Sequence, residues 1–176
     1  MTASAEQRAM TPTTRKILAG LSACAIALSL FAYIYSFSGA PVDKILPWLG
    51  ILFLGLMALA VPIHIIEYPA SKAWKWNWTL KEWARGMPRW VTPCSWLLQL
   101  VFLVHFIWSA VQTGPGVPDI VDGQYVLGSH GRILKILTPV EYLRLREDEM
   151  RLLATAMISL YFYPMMYWWF RQSGRR

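Results

Sequence analysis

Residues 138–171 read TPVEYLRLREDEMRLLATAMISLYFYPMMYWWFR, and this stretch predicts one long helix with two unlike halves. Thr138 offers an N-cap, Pro139 suits the first helical position and Glu141 stands where a capping box places its acid. From there to Arg171 only Pro164 interrupts the pattern. The first three turns carry Arg144, Arg146, Glu147, Asp148 and Glu149, whereas 19 residues without a charge separate Arg151 from Arg171. A helix rising about 1.5 Å per residue needs roughly 20 apolar residues to cross the hydrocarbon. The pattern therefore describes a helix that crosses a bilayer and emerges by several turns.

Outward from that helix, three more charge-free intervals recur. They hold 26 residues between Lys16 and Asp43, 22 between Lys44 and Glu67, and 29 between Arg89 and Asp119. We expect spans at 17–37, 45–66, 92–113 and 150–171. The first could instead be a signal-peptide core, with Ser38-Gly39-Ala40 as a cleavage site. The run exceeds the usual 7–15 residues of such a core and Pro41 would follow the cut, which favours a retained helix. Composition agrees with a bilayer: 56% of the 176 residues are hydrophobic, 14% aromatic and 15% charged, against about 25% charged in soluble domains. Cys24 and Cys94 neither form a disulfide framework nor match a metal spacing.

Charge sets the orientation. Eleven bases (Arg8, Arg15, Lys16, Lys72, Lys75, Lys81, Arg85, Arg89, Arg171, Arg175, Arg176) and three acids (Glu6, Glu67, Glu82) fall on one side, six bases and seven acids on the other. The positive-inside rule then makes both termini and the 67–91 loop cytoplasmic. The net charge of +7 is accounted for by anionic lipid and calls for no nucleic acid. Residues 1–16 read as a cytoplasmic tail and 17–176 as a single four-helix membrane domain. In the loop, Trp74, Trp76, Trp78, Trp83 and Trp90 alternate with Lys and Arg. Thr79 and Glu82 fit a capping box, so a short helix from Leu80 to about Gly86 is expected to lie in the membrane interface.

On the opposite side, segment 114–149 is the least membrane-like part. Gln124–Leu127 and Arg132–Leu137 flank Gly128-Ser129-His130-Gly131, which predicts a β-hairpin with a four-residue turn. A lone hairpin is marginal in water, so Tyr125, Leu127, Ile133 and Leu137 should pack on the emergent helix near Tyr142 and Leu145, or on another protein. One strand edge beside His130 would stay unpaired, which makes Tyr125, Leu127, His130 and Ile133 candidate partner-binding residues. Within the first span Ala19, Ala23 and Ala27 form a small-residue stripe suited to helix packing. The fold class expected is all-α membrane: four transmembrane helices, a small extracytoplasmic β-hairpin and a cytoplasmic interfacial helix.

Asp122-Gly-Gln-Tyr-Val-Leu-Gly-Ser-His-Gly131, continuing to Leu137-Thr-Pro-Val-Glu-Tyr142, resembles a segment of uncharacterised small bacterial inner-membrane proteins, in which a Tyr-Val-Leu and His-Gly hairpin leads into the last span. The resemblance covers about twenty of 176 residues. It implies a bacterial inner membrane and a hairpin, and carries no chemistry.

Candidate chemistry is sparse. His64 and His105 lie in spans, where ionisable residues are functional suspects, and two facing histidines could ligate a haem. Their expected depths differ by roughly 15 Å at about 1.5 Å per residue, which argues against that. His64 with Glu67 gives two ligands, too few for a metal site. No cofactor or metal is expected. No phosphate loop, nucleophile elbow or zinc signature is present, and no Asp, Glu, Lys or Arg lies deep in a span. These features favour an accessory or partner-binding membrane protein acting by contact with another membrane protein, with itself, or with the bilayer. An immunity-like or chaperone-like protector is a second class. A redox or lipid-modifying enzyme using His64, His105 and Glu67 is the third.

Overall fold

The computed structural model describes residues 11–67 and 87–170, with side chains described for 11–59 and 87–170. It is mostly helical, with one small sheet. Helix α1 spans Pro12–Tyr35, α2 Leu46–Glu67, α3 Val91–Thr113 and α4 Pro139–Phe170; between α3 and α4 lie β1 (Val117–Val121), β2 (Gln124–Ser129) and β3 (Arg132–Ile136). The long helix expected from residues 138–171 is present as α4, which packs against each of the other three helices and most extensively against α1. The start signals work as read. The Glu141 amide donates to Thr138 Oγ1 at 3.2 Å, and the Thr138 amide donates to Glu141 Oε2 at 2.8 Å.

Among the described residues, length and hydropathy single out two helices able to cross a membrane, α1 and α3, and not the four spans expected from the charge-free intervals. A charge-free interval is not the same as an apolar one. The latter half of α4 holds Tyr161, Tyr163, Pro164, Tyr167, Trp168 and Trp169, which lower its hydropathy. Tyr161, Tyr167 and Trp168 are buried inside the bundle, with Tyr167 and Trp168 edge to face at 5.0 Å. Within the part of α2 whose side chains are described, Leu46–Leu59 is apolar.

Small residues let α1 lie close to α4. The buried face of α1 is Arg15 near its start, then Ala19, Ser22, Ala25, Ser29, Ala32 and, at its C-cap, Ser36. Of the expected stripe only Ala19 is buried; Ala23 and Ala27 are exposed, because the real stripe alternates steps of three and four instead of a constant four. The buried serines cost little: Ser22 donates to the Leu18 carbonyl at 2.9 Å and Ser29 to that of Ala25 at 2.8 Å, each satisfied within its own helix. Between helices, Tyr161 Oη donates to the Leu52 carbonyl and Ser159 Oγ to that of Leu98 at 3.2 Å, tying α4 to α2 and α3. The expected tail boundary at residue 16 also moves. Thr11 caps α1 by accepting from the Thr14 amide, Pro12 opens it, and Arg15 and Lys16 are already helical.

The expected hairpin is a three-stranded antiparallel sheet in the order β1-β2-β3. Pro118 marks the added strand, since β1 is an edge and an edge tolerates a missing donor. Both connections are two residues long, Asp122-Gly123 and His130-Gly131, in place of the four-residue turn expected at 128–131. All four turn residues have positive φ, 49° and 76° in the first turn and 48° and 78° in the second. Positive φ at both central positions is the type I′ requirement, and its twist matches that of the strands. The pairing shifts between Leu127↔Lys135 and Gly128↔Ile133, which leaves Leu134 as a bulge.

Candidate functional site

The richest polar constellation lies where the α1–α2 connection meets the charged half of α4. Helix α1 ends at Ser36, leaving carbonyls without helical partners and the negative end of its dipole. Arg151, projecting from α4, answers both. Its Nη2 donates to the Ser36 carbonyl at 2.9 Å and its Nε to Ser36 Oγ at 3.1 Å, while its plane stacks 4.3 Å from the Phe37 ring centre. The same guanidinium reaches Asp148 Oδ1 at 2.6 Å and Glu147 Oε2 at 3.2 Å, one turn back on α4.

Arg146 makes the matching contact to the next part of that connection. It donates to Asp43 Oδ1 at 2.9 Å and to Glu149 Oε2 at 2.7 Å. Burial works against its charge, but the hydrogen bonds to Asp43 and Glu149 hold it more firmly protonated than an exposed arginine. The Tyr142 hydroxyl, pushed above its usual range by burial, donates to Asp43 Oδ1 at 3.4 Å. Tyr142 also stacks with Tyr125 of β2 at 4.7 Å. A continuous relay thus runs from the sheet through α4 to the α1–α2 connection. Arg146 and Arg151 are only 20% and 17% exposed and pair across elements as well as with Glu147, Asp148 and Glu149 along their own helix. Asp43, Ser36 and Phe37 were not legible as partners, since they lie about 100 residues away in sequence.

The sheet presents two faces. One row, Pro118-Leu127-Lys135, points to α4: Leu127 packs with Leu137, Tyr142, Tyr125 and Leu145, and Lys135 bridges to Glu141 at 2.7 Å. That hydrogen bond, followed by those from the Thr138 amide and hydroxyl, holds the Glu141 carboxyl down to about 2. The other face carries Val117, Asp119, Val126, Gly128, Ile133 and His130 around a hollow of about 510 Å³. Of the four expected partner-binding residues, Tyr125 and Leu127 are therefore used internally, while His130 and Ile133 remain exposed. Strand β1 covers the outer edge of β2, and β3, which follows His130, is exposed along its whole length.

Among the histidines, His105 is engaged: its Nε2 lies 3.2 Å from the Tyr33 hydroxyl, with the rings edge to face. Tyr33 in turn meets Phe37 edge to face at 5.4 Å. The side chains of His64 and Glu67 lie outside the described residues, as do Trp74, Trp76, Trp78, Trp83 and the expected interfacial helix from Leu80. Trp90 is half exposed at the start of α3, against Phe170. No family model matches the chain, and no curated protein or solved structure is similar to it.

Proposed function

We propose that the protein is a multi-pass protein of a bacterial inner membrane, with both termini cytoplasmic, that acts by contact as an accessory or partner-binding subunit. All four helices cross in this reading, α4 shielded inside the bundle and α1, α2 and α3 facing lipid. The collar of Arg146 and Arg151 then lies at the extracytoplasmic boundary and the sheet stands above it. One observation carries the reading. The charged groups at that boundary are consumed in internal pairs, yet the sheet directly beyond them leaves Val117, Val121, Ile133, Leu134 and Ile136 uncovered. Exposed apolar groups clustered on a module that faces water mark a contact surface. The free edge of β3 offers backbone donors and acceptors for strand addition beside it.

The experiment is site-specific photocrosslinking in native membranes from Val121 and Ile133 on the sheet, with Val104 and Ile107 of α3 as comparison. Discrete protein adducts from the sheet positions support the reading. Adducts confined to α3, with none from the sheet, would move the contact surface into the bilayer and overturn the role given to the sheet.

A further inference from the structure

Beneath the Arg146–Asp43 pair a groove of about 400 Å³ runs between α2 and α4, a volume in the range of small-ligand pockets. Its only charged lining residues, Asp43 and Arg146, stand together at one end. Leu49, Gly50, Phe53 and Met157 line the rest. From Arg146 to Met157 is eleven residues of helix, about 16 Å, close to the roughly 15 Å of hydrocarbon in one leaflet. Gly50 lines the groove, and a Cβ there would meet nothing within 4 Å, so a larger side chain has room to enter it. The dimensions are those of one acyl chain, with its headgroup at the ion pair.

Charge at the mouth narrows the headgroup. Arg146 is flanked by Asp43 and Glu149, so one positive and two negative groups meet at this end of the groove. A purely anionic headgroup would meet net repulsion there. A headgroup carrying both signs matches, with its phosphate on Arg146 and its ammonium donating to the carboxylates of Asp43 and Glu149. Resting on the membrane placement above, we propose that this groove is a binding site for one zwitterionic phospholipid of the ethanolamine class from the extracytoplasmic leaflet.

The test is native mass spectrometry of the full chain, extracted from carbonate-washed membranes and equilibrated with equal amounts of phosphatidylethanolamine and phosphatidylglycerol. Wild type is expected to retain one phosphatidylethanolamine. Gly50→Leu, which fills the groove, should lose that adduct at unchanged melting temperature, and Ile51→Phe, outside the groove, should keep it. If Gly50→Leu melts lower, the smaller Gly50→Val is read in its place. Equal retention of both lipids, or retention unaffected by filling the groove, overturns the site while the membrane reading stands. Loss of the chain from the carbonate-resistant pellet overturns the membrane reading itself.

Discussion

Replacing Arg151 by Met keeps an unbranched apolar stem and removes the guanidinium. The guanidinium serves two carboxylates, the Ser36 carbonyl and hydroxyl, and the Phe37 face at once. Breaking a fully buried ion pair from one side costs about 3–5 kcal/mol, because the remaining charge is left unpaired. Glu147 and Asp148 are each 19% exposed, so water repays part of that. Against this stands the orphaned carbonyl at the end of α1, worth about 1–3 kcal/mol if left dry. A net loss of about 3 kcal/mol follows, a fall in melting temperature of roughly 6–12 °C for a chain of this size. Thermal unfolding in a mild detergent reads it. The diagnostic is recovery: Arg151→Met with Glu147→Gln and Asp148→Asn should regain more than half of the loss, since no charge is then stranded. A triple variant no more stable than Arg151→Met would show that the guanidinium acts only through Ser36 and Phe37, and the ion-pair account would be wrong.

Glu141 titrates near 2 when folded and near its ordinary 4.5 when unfolded, so its contribution is complete above pH 4.5 and lost as pH falls from there toward 2. Amide protection in β3 should fall over that window, and Glu141→Gln, which has no carboxyl to titrate, should show lower protection already at neutral pH and no such step. His130→Val places a β-branched residue at φ 48° and should cost about 1–2 kcal/mol, whereas His130→Asn should be tolerated, as sheet-amide protection will show. Gly116→Ala would set its methyl 2.5 Å from Leu127 Cγ, inside the packing against Tyr142; a loss of about 1–3 kcal/mol and faster proteolysis of the sheet are expected.

Local signals in the sequence were read faithfully. Thr138, Pro139 and Glu141 started α4 where expected because a capping box depends on four adjacent residues. The Asp122-Gly123 turn carries the same local signal as His130-Gly131, but Pro118 weakens the strand signal of the residues before it, since it removes a ladder donor that only an edge strand can spare. Faces were harder to read than elements. A constant four-residue step picked Ala23 and Ala27, but a helix of 3.6 residues per turn buries a stripe that alternates three and four. The collar was half legible: Arg146 and Arg151 were paired with acids on their own helix, which spacing alone can show. Their second partners, Asp43 and Ser36, depend on how α1 and α2 are placed beside α4, and no local pattern encodes that.

The central claim, that the sheet stands outside the membrane and the termini inside, is tested most directly by thiol labelling in intact cells. With Cys24 and Cys94 replaced by Ala, single cysteines at Ser129, Ser4, Ala73 and Ser173 are exposed to a membrane-impermeant maleimide before and after lysis. The account predicts that Ser129→Cys reacts in intact cells and that the other three react only after lysis. Labelling of Ala73→Cys from outside, or protection of Ser129→Cys until lysis, would contradict it.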